Sequence, residues 1–257
     1  MNYGICNLSV IPVRLENDHN SEQINQLLFG EYFKIIEEID SWTKIENSFD
    51  NFVGWIDKKQ FIPISEKEFN KLNNSNKILT NDFIDFVFDM DNNMIPIPIG
   101  SLLPYYSNNH FALTNKEYKY EGDVVEYKRK DKSKLVDNAF MYLNSPYLWG
   151  GKSPMGIDCS GYTQMVYKLN GIQIPRNAAD QAKLGEVLSF IEESEPGDLA
   201  FFDNEEGEII HVGIILENNY IIHAHGKVRI DRIDHTGIYN VDTQRHSHKL
   251  RVIKKIC

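Results

Sequence analysis

At 257 residues the chain has room for two domains or three small ones, and its 42% hydrophobic and 25% charged residues exclude a disordered tail or a fibre. Its 27 Lys and Arg against 37 Asp and Glu give a net charge of −10, so neither nucleic acid nor a membrane is expected as a partner held by bulk electrostatics. Cys6, Cys159 and Cys257 are too widely spaced, and too few, for a disulfide framework or a zinc–thiolate cluster.

Residues 1–64 predict short strands with no sustained helical period. Gln26–Glu31 leads into Tyr32–Glu37, followed by Trp42–Ile45 and Phe52–Ile56, which together suggest a small antiparallel barrel. Ser65-Glu66-Lys67-Glu68 fits a capping box, so a short helix to about Asn73 opens a second segment, 65–127. That segment is again β-rich, with a strand over Phe83–Phe88. The alternate prolines of Ile95-Pro96-Ile97-Pro98-Ile99 confine that piece to an edge or a loop. A second small barrel is the expectation.

From Lys128 the pattern changes. Ser133 is placed to cap a helix whose apolar residues Leu135, Val136, Ala139, Phe140 and Leu143 share one face, and Pro146 stops it. A second helix is predicted from Cys159 to Leu169, with Asn170-Gly171 as its exit. Strands follow over 198–202, 209–216, 220–225 and 228–233. Helices first and an antiparallel sheet afterwards make residues 128–257 α+β.

Two residue types in this segment carry chemistry. Cys159 stands where a Gly-rich loop meets a helix N-terminus, a setting that lowers a thiol pKa and favours the nucleophilic thiolate. Cys6 and Cys257 lack that setting. His211, inside the apolar strand Ile209–Leu216, needs partners for its ring nitrogens and is a candidate base. The three-residue loop Glu217-Asn218-Asn219 pairs Leu216 with Tyr220. That puts His211 opposite His225 and diagonal to His223, all on one face, whereas a two-residue loop would turn His211 away. His223 can then fix the His211 tautomer, and His225 competes for the same place.

The motifs Pro146-Tyr147-Leu148-Trp149-Gly150-Gly151, Asp158-Cys159-Ser160-Gly161-Tyr162, Pro175-Arg176, Pro196–Phe202, His211-Val212-Gly213-Ile214 and Ile222-His223-Ala224 occur in order. On these, residues 128–257 resemble the NlpC-type papain-like cysteine peptidases of bacterial cell-wall turnover. Gly30-Glu31, Trp42 and Gly54-Trp55 likewise resemble the bacterial SH3-like domain. The resemblance implies a papain-like catalytic domain behind two SH3-like barrels, with Cys159, His211 and His223 as catalytic residues. It further implies cleavage of the bond between γ-D-glutamate and a diamino acid in peptidoglycan stem peptides, L-Ala-γ-D-Glu-diamino acid.

The arrangement resembles the cytoplasmic recycling members that need a free N-terminal L-alanine. In those a Glu, a Tyr and an Asp hold the amine. Glu31 matches the Glu, whereas Phe52 stands near the expected Tyr, and Asn177-Ala178 follow Arg176 where Asp-Ser is usual. Tyr147 matches a tyrosine near the oxyanion hole, and Asp158, Ser160, Arg176 and Asn177 are carried over with it as substrate-binding positions. Asp158 also fits a plain helix cap.

No cofactor or metal is expected. The His223-x-His225 and His246-x-His248 pairs give only weak support to metal-dependent hydrolysis. The same catalytic-domain residues would also suit a wall-peptide binding module or an acyltransferase. The start Met-Asn-Tyr-Gly-Ile-Cys has neither the basic nor the apolar part of a secretory leader, which fits a cytoplasmic location.

Overall fold

The computed structural model describes residues 2–257. The chain divides into two units, one of residues 1–128 with 149–154, the other of residues 129–148 with 155–257.

The first unit opens with seven strands: β1 (Tyr3–Cys6), β2 (Val10–Arg14), β3 (Gln23–Leu28), β4 (Tyr32–Ile39), β5 (Trp42–Asn47), β6 (Val53–Asp57) and β7 (Phe61–Ile64). They form one antiparallel sheet in the order β3-β2-β6-β5-β4-β1-β7. Helix α1 (Glu66–Asn74) follows, and the Ser65 hydroxyl accepts the Glu68 N–H at 3.2 Å. The Glu68 carboxylate accepts from the Tyr105 hydroxyl at 3.0 Å, tying the helix to the strands beyond it.

Those strands are β8 (Ile78–Thr80), β9 (Ile84–Asp89), β10 (Met94–Pro98), β11 (Leu102–Leu103), β12 (His110–Leu113), β13 (Lys116–Lys119) and β14 (Val124–Glu126). They form two small sheets, β10-β9-β13-β12 and β11-β8-β14, and Pro96 and Pro98 lie on the edge strand β10. The short β15 (Lys152–Ser153) completes the unit. A single cluster joins residues from before and after α1: Ile5, Phe29, Tyr32, Phe69, Leu72, Val87, Leu102 and Phe111 all belong to it. Gly30 sits at this junction with φ +78°, and a Cβ there would meet the Leu102 carbonyl oxygen at 2.0 Å, so only glycine permits the approach.

The second unit starts with α2 (Ser133–Met141). Ser133 is not its cap. It is the first helical residue, and its N–H is taken by the Asp131 carboxylate at 3.1 Å. Leu135 and Ala139 are buried, whereas Phe140 and Leu143 are exposed, so the apolar stripe is only partly covered. After β16 (Gly156–Ile157) come α3 (Cys159–Leu169) and α4 (Ala178–Gln181). Then follow β17 (Glu186–Leu188), β18 (Leu199–Asp203), β19 (Ile209–Leu216), β20 (Tyr220–His225), β21 (Lys227–Ile233), β22 (Gly237–Asn240) and β23 (Arg245–Lys255).

These seven strands form the antiparallel sheet β17-β23-β18-β19-β20-β21-β22, and β22 also pairs with β23, so six strands close on themselves. All eleven residues of α3 are buried, and the helix packs on β19 and β20. Strand β23, which lies beside β18, was not among the predicted strands.

Candidate active site

The start of α3 is fixed by a buried polar network. Asp158 is the N-cap, and its Oδ1 accepts the Gly161 N–H at 2.7 Å. The Arg176 guanidinium donates to Asp158 Oδ1 at 2.9 Å and to the Ser160 hydroxyl at 2.9 Å, and closes a second bond on Asp158 Oδ2. Three of the residues carried over as substrate-binding positions thus grip one another around Cys159, and Asp158 fills the capping role as well. Asn177 lies apart from this network. It is exposed at the N-cap of α4, with no side-chain capping bond. Tyr147 is half-buried close enough to feel Cys159. Its phenol is pushed up to about 12 by burial, and by the Cys159 and Asp158 charges after that.

The thiol differs from its sequence-based expectation. Burial pushes Cys159 up to about 12, and the neighbouring Asp158 carboxylate adds to the rise. Backbone hydrogen bonds from Val212 and Ser160 and the Arg176 charge pull the other way without offsetting it. Desolvation of the anion outweighs the helix N-terminus at this site. The resting group is therefore the thiol, and it needs a base.

A candidate base is at hand. Val212, whose backbone faces the sulfur, is the chain neighbour of His211. Strands β19 and β20 pair with Leu216 opposite Tyr220 and Gly213 opposite His223, the register that the three-residue loop requires. His211 Nε2 and His223 Nδ1 are 2.8 Å apart. Burial, followed by the fields of His223, His248 and His225, holds His211 well below its usual range, so it is neutral at pH 7 and able to accept a proton.

Two partners of this pair were not foreseen. Asp231 on β21 stands 3.1 Å from His223 Nε2, and Arg229 clamps the same carboxylate through Nε at 2.7 Å and Nη2 at 2.9 Å. Arg229 is directly opposite His223 in the β20–β21 register, and Asp231 is two residues further along the same face. The period-2 logic that joined His211 to His223 carries over the Gly226 turn to reach both. His248 on β23 stacks on the His211 ring at 4.2 Å between centroids and 23° between planes. His225, the rival third residue, is exposed and lies 6.4 Å from the His211 ring. Among the described residues no group of three or more His, Cys, Asp or Glu is arranged to hold a metal ion.

Glu31 belongs to the first unit and is buried there. Its Oε2 accepts the Leu28 N–H at 3.0 Å, and both carboxylate oxygens lie 3.3 Å from Lys152 Nζ. Lys152 is fully buried, and its own backbone N–H donates to Gln26 Oε1 at 2.8 Å. The protein thus supplies the Glu31 carboxylate with an ammonium partner of its own.

Comparison with known proteins agrees with this geometry. Residues 144–247 match the NlpC/P60 family, and residues 13–61 match the bacterial dipeptidyl-peptidase SH3 domain. The chain is 26% identical over 216 residues to the γ-D-glutamyl-L-lysine dipeptidyl-peptidase of Bacillus subtilis (strain 168), covering 77% of this chain and 71% of that protein. It is 27% identical over 239 residues to dipeptidyl-peptidase 6 of Lysinibacillus sphaericus, covering 81% and 82%. In fold it is similar to the crystal structure of an NlpC/P60 family protein from Bacillus cereus ATCC 10987, with a TM-score of 0.84 over 99% of both chains at 18% identity. With a helix-start cysteine beside a strand histidine inside residues 144–247, which match the NlpC/P60 family, and with residues 13–61 matching a bacterial SH3 domain, the protein is a cysteine peptidase with an NlpC/P60 domain.

Proposed function

We propose that the enzyme hydrolyses the amide bond between γ-D-glutamate and the diamino acid of peptidoglycan stem peptides that begin with a free L-alanine, in cytoplasmic recycling of murein peptides. The observation that carries this is the buried sequence Cys159, His211, His223 in an NlpC/P60 domain, in a chain similar to a γ-D-glutamyl-L-lysine dipeptidyl-peptidase. The small antiparallel sheets of residues 78–126 support a second SH3-like barrel over 65–127, and the packing of α3 on β19 and β20 supports helices set on the catalytic sheet.

In the proposed reaction Cys159 Sγ attacks the γ-carbonyl carbon of D-glutamate while its proton passes to His211 Nδ1. The nitrogen His211 uses is fixed by the engagement of its Nε2 with His223. The tetrahedral oxyanion is stabilised by the backbone amide of Cys159, with the Tyr147 hydroxyl nearby. His211 returns the proton to the leaving α-amine of the diamino acid. The thioester carrying the L-Ala-γ-D-Glu acyl group is then hydrolysed by a water that His211 deprotonates.

Glu31 is the proposed contact for the substrate amine. Because Lys152 is already paired with it, a substrate ammonium would share the carboxylate, and the preference for a free amine is expected at the low end for a charged hydrogen bond, about tenfold. The test is kcat/KM for L-Ala-γ-D-Glu-L-Lys against its N-acetylated form. A several-fold to tenfold preference for the free amine is expected, and equal rates would remove the amine contact from the proposal.

A further inference from the structure

The polar chain behind the base does not end at His223. Asp231 is fully buried and accepts from three donors of fixed identity, Arg229 Nη2 at 2.9 Å and the Val241 N–H at 3.1 Å on Oδ1 and Arg229 Nε at 2.7 Å on Oδ2, while His223 Nε2 lies 3.1 Å from Oδ2. Arg229 is held in turn by Asp242 at 2.8 Å. A carboxylate in this setting is an acceptor only.

That single fact orders every proton in the line. Oδ2 accepts, so His223 Nε2 must carry a hydrogen. A neutral His223 then has a bare Nδ1, which can only accept. His211 Nε2, 2.8 Å away, must therefore carry the hydrogen it donates. A neutral His211 is left with a bare Nδ1, the nitrogen that the proposed reaction uses to take the thiol proton. Both rings are held neutral by burial, so neither escapes this logic by taking a second proton near pH 7.

We propose that Asp231, clamped by Arg229 and the Val241 amide, is the positioning residue that sets the tautomers of His223 and His211 and thereby makes Nδ1 of His211 the base. The inference rests on the catalytic roles given above to Cys159 and His211. It adds what those roles leave open, namely which tautomer the pair adopts and what enforces it. Once the base is protonated, the same line stabilises the imidazolium, with the Asp231 charge two rings away.

Asparagine at position 231 should invert the line. With its oxygen at the Oδ1 site it keeps the bonds from Arg229 Nη2 and Val241, loses the one from Arg229 Nε, and turns its NH₂ to His223 Nε2 as a donor. With its oxygen at the Oδ2 site the NH₂ meets two donors and loses both bonds. The first placement is favoured. It moves the His223 hydrogen to Nδ1, forces His211 Nε2 to accept, and leaves the His211 hydrogen on the Nδ1 that should be bare. An inverted tautomer of this kind costs about 10⁴-fold in kcat in a serine-protease triad.

The experiment is ¹⁵N NMR of the full chain labelled at histidine nitrogens, where shifts and long-range couplings separate Nδ1–H from Nε2–H rings. Resonances are assigned with His225→Gln and His248→Gln. In the unmodified protein at pH 7, both His211 and His223 are expected as neutral Nε2–H rings. Nδ1–H on either one overturns the proposal without recourse to a variant or a substrate. In Asp231→Asn both rings are expected as Nδ1–H, with kcat for stem-peptide hydrolysis down about 10²–10⁴-fold, KM within a few-fold and an unchanged far-ultraviolet spectrum. Unshifted tautomers, or kcat within threefold of the parent in a folded Asp231→Asn, also overturn it. Nε2–H rings in an unmodified protein that cleaves no stem peptide would instead keep the tautomer assignment and reject the substrate.

Discussion

Lys152→Met removes the ammonium from the buried pair with Glu31 while keeping much of the side-chain volume. Lys152 is 0% exposed and Glu31 4%, with 3.3 Å from Nζ to each oxygen, so water cannot replace the missing charge without opening the unit. Breaking such a pair from one side costs about 3–5 kcal/mol, because the remaining ion stays buried. At about 2–4 °C per kcal/mol for a unit of this size, the melting temperature should fall on the order of 10 °C. Glu31→Gln with Lys152→Met should recover most of the loss, because the neutral pair leaves no buried charge behind.

The assay is urea and thermal unfolding of the four proteins of the double-mutant cycle, followed by circular dichroism. Lys152→Met within about 1 kcal/mol of the parent, or a double variant no more stable than the single one, would refute the claim that the carboxylate is ionised and depends on Lys152. The same variants report on substrate selection. With Lys152 gone, any substrate amine that reaches Glu31 no longer shares the carboxylate, so the preference for free-amine peptides should widen in Lys152→Met.

Burial lowers His211 well below 6.5, and the proposed mechanism uses its neutral form, so kcat/KM should stay level as pH falls to about 6.5 and drop only below that. Cys159 is pushed up to about 12, so iodoacetamide should alkylate the substrate-free enzyme slowly at pH 8, with a rate still climbing above pH 9; saturation below pH 7 would show a preformed thiolate instead. His211→Ala should lose nearly as much activity as loss of the nucleophile, which in a coupled unit can reach the order of 10⁶, while His223→Ala should lose less and His225→Ala least. A larger loss in His225→Ala than in His223→Ala would contradict the register-based assignment.

Local patterns made much of this site legible. The N-cap and the Asn170-Gly171 exit bounded α3 correctly because both signals are carried within a few residues of the helix ends. The loop between β19 and β20 fixed which face His211 presents because side chains alternate strictly along a strand. What stayed hidden depends on partners far apart in sequence. Lys152 reaches Glu31 across 121 positions, and nothing around either residue announces the other. Strand β23 reads Arg245-His246-Ser247-His248-Lys249-Leu250-Arg251, too charged to suggest a sheet strand, yet β18 and β22 hydrogen-bond to it from either side. The thiol was misjudged because a helix N-terminus is visible in sequence, whereas the burial that outweighs it is a property of the folded unit.

The central claim, a Cys159 peptidase for the γ-D-glutamyl bond, is tested most directly by mass spectrometry of L-Ala-γ-D-Glu-L-Lys incubated with the parent enzyme and with Cys159→Ala. The parent should release L-Ala-γ-D-Glu and free lysine, and folded Cys159→Ala should release neither. Cleavage by Cys159→Ala at a rate near the parent's, or scission by the parent at the L-Ala–D-Glu bond instead, would contradict it.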